Sequence, residues 1–166
     1  MKNVLFLLLF ALPIASFGQV EALQNFYDKY KNKEEVTDVT LKGWLLKATS
    51  TISTSEKDDK LLDKITYFRV LLMEEGNLVS DREFKQLKKD IRKAKFEELI
   101  KIREDKSDIE ILVKDDQEFI TDAILLVHGK EKFVLLSMEG RFKLSDFKNI
   151  NIDIDGADHF KKVSDQ

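Results

Sequence analysis

The sequence predicts an α+β domain: a single, mostly antiparallel sheet with helices packed on one face. Three observations predict it. Helical periodicity is concentrated in the first half of the chain, up to a helix that Ser80 and Glu83 open with a capping box. After Lys95 the period changes, and four β-rich runs follow one another. The joints between those runs are a few residues long, whereas a parallel connection needs a crossover of a dozen or more.

Taken in order, Gln19 to Asn32 places Leu23, Phe26, Tyr27 and Tyr30 at helical spacing and reads as a short packing helix. Val36 to Leu41 alternates and is rich in β-branched residues, which predicts a strand ending before Gly43. Trp44 to Ala48 predicts a short helix with Trp44, Leu45 and Ala48 inward, and Thr49 to Lys60 a polar loop. Lys64 to Glu74 is dense in apolar and aromatic residues and should be a central strand, closed by Gly76-Asn77. The helix after Ser80 carries Phe84, Leu87, Ile91 and Ala94 on one side.

The four later runs are Phe96 to Arg103, Asp108 to Lys114, Glu118 to His128 and Glu131 to Met138. Their joints, Glu104 to Ser107, Asp115 to Gln117 and Gly129-Lys130, are polar turns, so a four-stranded meander is expected. A short helix near Leu144 to Asn149 precedes the alternating Ile150, Ile152 and Ile154, and residues 155–166 form a polar tail.

The first eighteen residues, MKNVLFLLLFALPIASFG, read as an export signal: a charged start at Lys2, an apolar run to Leu12, a break at Pro13, and small residues at Ser16 and Gly18. Residues 19–166 then form one domain. The apolar stretch is too short and too broken for a spanning helix, which needs about 20 residues. The chain contains no cysteine, so neither disulfides nor a lipoprotein anchor are expected, and the address is periplasmic or secreted. Loss of Lys2 moves the formal charge from −3 to −4, a mild acidity that offers no general attraction to nucleic acid.

Recognisable catalytic chemistry is sparse. With two histidines and no cysteine, thiolate chemistry is excluded and a multi-histidine metal cage has too few ligands. His128 reads as a polar residue at a hairpin tip, and His159 as part of the tail. The serines at positions 50 to 55 have no G-x-S-x-G elbow or S-x-x-K partner, and no glycine-rich loop could cradle a phosphate, so no cofactor is expected. Asp153, Asp155 and Asp158, around Gly156 and beside His159, could offer oxygen ligands to calcium. Their spacing does not fit an EF-hand, and a solubilising turn is the simpler reading. Trp44, Tyr27, Tyr30 and Phe26 could line an aromatic surface or build a core edge.

The most distinctive charge pattern is on the capped helix, where Arg82, Lys85, Lys88, Lys89, Arg92 and Lys93, followed by Lys95, lie opposite the apolar stripe. Such a stripe is either an ordinary solvated face or a contact for lipid phosphates or an acidic envelope partner.

The order of these features resembles a domain-of-unknown-function family of small exported bacterial proteins, numbered 4252 among such families. Phe26, Tyr27 and Tyr30 followed by Val36, Thr37 and Val39 look like its opening helix and strand, and Ile65 to Leu72 like its second strand. Phe96-Glu97-Glu98-Leu99-Ile100 resembles its aromatic-Glu-Glu-Leu signature, and Val134-Leu135-Leu136 with Gly140 and Leu144 its closing strand and turn. The resemblance spans nearly the whole mature chain. It implies an exported single domain and supplies no activity, substrate or functional residue.

Together these readings lead to an exported binding or interaction module whose partner is an envelope protein, glycan or lipid. The alternative is an enzyme assembled from scattered carboxylates such as Asp153, Asp155 and Glu139.

Overall fold

The computed structural model describes residues 21–45, 62–103 and 107–147. The expected architecture is present: α1 (Glu21–Tyr30), β1 (Val36–Lys42), β2 (Ile65–Met73), α2 (Asp81–Lys93), β3 (Glu97–Arg103), β4 (Ser107–Asp115), β5 (Ile120–Gly129) and β6 (Phe133–Phe142), then a 3-10 turn over Leu144–Phe147. The strands form one sheet in the order β1-β2-β6-β5-β4-β3, and every neighbouring pair is antiparallel. The meander from β3 to β6 is therefore real, and β2 closes on its last strand. The amino-terminal signal pattern, the loop at 49–60 and the isoleucines after residue 149 lie outside the described residues.

Side-chain alternation divides the sheet into two faces. One face meets both helices: Leu71, Met73, Leu112, Ile124, Leu126, Phe133 and Leu135 form a single cluster with Leu23, Phe26, Tyr27 and Tyr30 of α1 and Phe84, Leu87 and Ile91 of α2. Helical spacing predicted these helix stripes, and burial of them against the sheet is what holds the short helices in place. On the opposite face, strand residues including Val113, Met138, Ile109, Val127 and Val134 build two further clusters.

Local departures from expectation have physical causes. Trp44, expected to point inward, is 70% exposed. The final strand runs through Gly140 to Phe142 rather than ending at Met138. Gly140 is not a turn residue: a Cβ there would sit 2.3 Å from the Lys64 carbonyl and 2.4 Å from the Phe142 ring, so only glycine lets β6 pass this close to its neighbour. His128 stands at the hairpin end of β5 as expected, but its ring packs inward instead of facing water and stacks on Phe84 at 4.2 Å. Tyr27, Tyr30 and Phe26 belong to the core beneath α1 and do not share a surface with Trp44.

Candidate functional site: the basic outer face of α2

Ser80 starts α2. Its hydroxyl accepts from the Glu83 amide at 3.3 Å, while the Glu83 carboxylate accepts from the Ser80 amide at 3.2 Å, completing the expected box. Glu83 also receives Lys29 and the Tyr30 hydroxyl from α1, so the same carboxylate caps one helix and ties the other to it. The Lys29 hydrogen bond, then the Ser80 hydroxyl, hold the Glu83 carboxyl down at about 2.

From there the helical turn sorts the side chains. Phe84, Leu87 and Ile91 are buried, and Arg82, Lys85, Lys89, Arg92 and Lys93 are exposed. Lys85, Lys88, Lys89, Arg92 and Lys93 line a shallow, open groove of about 540 Å³. The stripe expected from sequence is thus one continuous surface, with Arg82 one turn before it.

Its members are not equivalent, because a carboxylate that sequence reasoning missed lies beneath them. Glu110, on the helix-covered face of β4, is completely buried. Lys88 Nζ donates to its Oε1 at 2.7 Å, Lys101 Nζ stands 3.2 Å from the same oxygen, and Arg92 Nη2 is 3.5 Å from Oε2. Burial pushes the Glu110 carboxyl upward, but the Lys88 hydrogen bond and the Lys101 charge outweigh it, and the group sits below the usual carboxylate range. Arg92 also donates to Glu98 at 2.6 Å. Lys88 and Arg92 are therefore held toward the sheet, and Lys93 pairs with Asp90 one turn back. For Arg82, Lys85 and Lys89, no carboxylate lies within ion-pair reach among the described residues.

A second buried ion pair lies under α1. The Arg69 guanidinium meets Asp38 through both oxygens, at 2.9 and 2.8 Å, and stacks over the Tyr27 ring at 4.1 Å. The Tyr27 hydroxyl reaches Ser137 Oγ at 2.9 Å, and burial pushes the phenol well above its usual range. Every charge in this cluster is answered internally, so its role is to seat α1 on the sheet.

The other candidates are not assembled into a site. His128 Nε2 donates to the Val79 carbonyl at 3.1 Å and stands 3.8 Å from Asp81, beyond hydrogen-bond reach. Glu139 is opposite Asp122 in the β5–β6 register, and burial together with the Asp122 charge raises its carboxyl above the usual range. Asp153, Asp155, Asp158 and His159 lie outside the described residues. Among the described residues, no group of three histidine or carboxylate side chains is placed to hold a metal. None of their helices is long and apolar enough to cross a membrane.

What the α2 face offers chemically is surplus positive charge on a rigid, capped helix. The chain matches no curated protein and no solved structure. The family model described as a domain of unknown function, DUF4252, matches residues 30–150, which takes in the whole sheet and α2 but only the last residue of α1. With that extent of match, the chain belongs to the DUF4252 family.

Proposed function

We propose that this protein is an exported binding module that engages an anionic partner through the outer face of α2. The observation that carries the reading is the division of labour among the cations. Lys88 and Arg92 are spent on the fold through Glu110 and Glu98, while Arg82, Lys85 and Lys89 face outward with no counter-ion among the described residues. Export rests on the charged, apolar and small-residue order of the first eighteen residues.

The test is a pull-down from envelope extract with the wild type and with an Arg82→Glu/Lys85→Glu/Lys89→Glu variant. A partner retained by the first and lost by the second supports the α2 face. Equal recovery by both moves the contact elsewhere.

A second reading, an enzyme with a carboxylate site, has one observation in its favour: Glu139 is raised by burial beside Asp122, which is how a general acid is kept protonated. A hydrolytic activity that disappears in Glu139→Gln would establish it.

A further inference from the structure

We infer that the partner of the α2 face is the surface of an anionic lipid bilayer, on which the domain lies with α2 against the headgroups; this rests on the reading just given and names its partner. The shape of the groove is the first argument. Discrete small ligands are held in concave pockets, mostly apolar, with a few fixed polar groups. This groove is open and lined entirely by long cationic chains, with no aromatic wall among its lining residues. It suits many anions spread over a plane better than one anion in a socket.

The spacing is the second. Lys85, Lys89 and Lys93 follow one another at four-residue intervals along the helix, so their Cα atoms rise about 6 Å and turn about 40° at each step and form an inclined row on one side of it. Such a row stays within one side of the helix, and the long lysine chains let all three ammonium groups reach one plane.

Exposed apolar side chains supply the third argument and separate a bilayer from a soluble polyanion. Leu78, just before the Ser80 cap, is 48% exposed, and Leu99, at the bulge of β3 next to the Glu98 that Arg92 reaches, is 40% exposed. Leu78 thus precedes the first turn of the basic helix in the chain, and Leu99 adjoins the residue that Arg92 of its last turn reaches. A soluble polyanion has no use for exposed leucines, whereas a headgroup layer takes them up beside the lysines. The charge balance fits as well. Asp81–Lys93 holds six cations and three acids inside a chain of net charge −3, so the remainder is acidic and is repelled by the surface that attracts α2. That polarity sets the orientation of approach.

The experiment is co-sedimentation of the full chain with vesicles of equal parts phosphatidylcholine and phosphatidylglycerol, with pure phosphatidylcholine vesicles and soluble polyphosphate as the other arms. The wild type should bind the mixed vesicles and not the neutral ones, and salt should release it. Each lysine near the surface is expected to change partitioning roughly fivefold, so Lys85→Glu/Lys89→Glu should lose at least about a hundredfold. Leu78→Ser/Leu99→Ser should weaken binding severalfold while leaving its salt dependence unchanged. Equal binding to neutral vesicles overturns the inference. So does binding to polyphosphate without binding to mixed vesicles, although the anionic-contact reading then stands. Failure of both arms, with unchanged extract pull-down by the reversed variant, removes both.

Discussion

The helix-covered face of the sheet contains two buried charge clusters of opposite design. Under α1, Arg69 and Asp38 satisfy one another through two hydrogen bonds, and the Tyr27 ring closes over them. Under α2, a single buried carboxylate, Glu110, faces three cations whose exposure increases outward: the side chains of Lys88, Lys101 and Arg92 are 13%, 35% and 47% exposed. The first cluster is closed and neutral, and the second is a buried anion under a surface of excess positive charge. The difference teaches that buried charge can either finish a fold or set the posture of a surface, and that the two are distinguished by which partner keeps access to water.

This contrast predicts different consequences when each cluster is cut. Arg69→Ala leaves Asp38 without its counter-ion between β1 and α1, and should cost about 3–5 kcal/mol in urea unfolding. A cost below about 1 kcal/mol would show that the pair behaves as a surface bridge. Glu110→Gln should cost less, about 2 kcal/mol, because the glutamine oxygen can still accept from Lys88 while Lys101 and Arg92 turn to water. It should also strengthen binding to anionic vesicles, since Lys88 is no longer neutralised. If Glu110→Gln destabilises as much as Arg69→Ala, the two clusters are alike and the comparison fails.

Acid titration sharpens the same contrast. Glu83, held at about 2 chiefly by Lys29, has a folded value below its unfolded one; its contribution is present above the ordinary glutamate range and is lost as pH falls through about 2. Glu110 has the same sign. Glu139 has the opposite sign: raised by burial and Asp122, it opposes folding at neutral pH and is relieved as it protonates. Melting curves should therefore show Glu83→Gln below the wild type at neutral pH, with the gap closing toward pH about 2. Glu139→Gln should lie above the wild type at neutral pH, with that gap closing in mild acid. Parallel curves for either variant at all pH values would contradict these assignments. A smaller effect is expected for Tyr27→Phe, about 1 kcal/mol, from loss of the hydrogen bond to Ser137.

The sheet and its helices were legible because their signals are local. The capping box at Ser80, the stripe Phe84, Leu87 and Ile91, and the short polar joints of the meander each declare themselves within a few residues. The stripe on α2 was legible for the same reason, since helical spacing alone places its lysines together. What lay beyond the sequence was non-local. Arg69 within Thr66-Tyr67-Phe68-Arg69-Val70 and Glu110 within Ile109-Glu110-Ile111-Leu112-Val113 are lone charges in apolar stretches of strand, and that was their only signal. Alternation puts each on a face, but which face the helices cover depends on docking. Their partners depend on register: Asp38 lies diagonal to Arg69, whose direct partner is Thr40, and Lys88 and Arg92 reach Glu110 only because α2 crosses β4. The stacking of His128 was hidden for the same reason, since the Phe84 ring it meets lies 44 residues earlier in the chain.

The central claim is that the outer cations of α2 serve a partner and not the fold, and it is tested most directly by measuring urea stability and vesicle binding side by side for Lys85→Glu/Lys89→Glu. The account predicts stability within about 0.5 kcal/mol of the wild type, as for exposed positions with no ion-pair partner among the described residues, together with loss of binding to vesicles containing phosphatidylglycerol. A variant that still binds, or that loses stability and binding together, would contradict it.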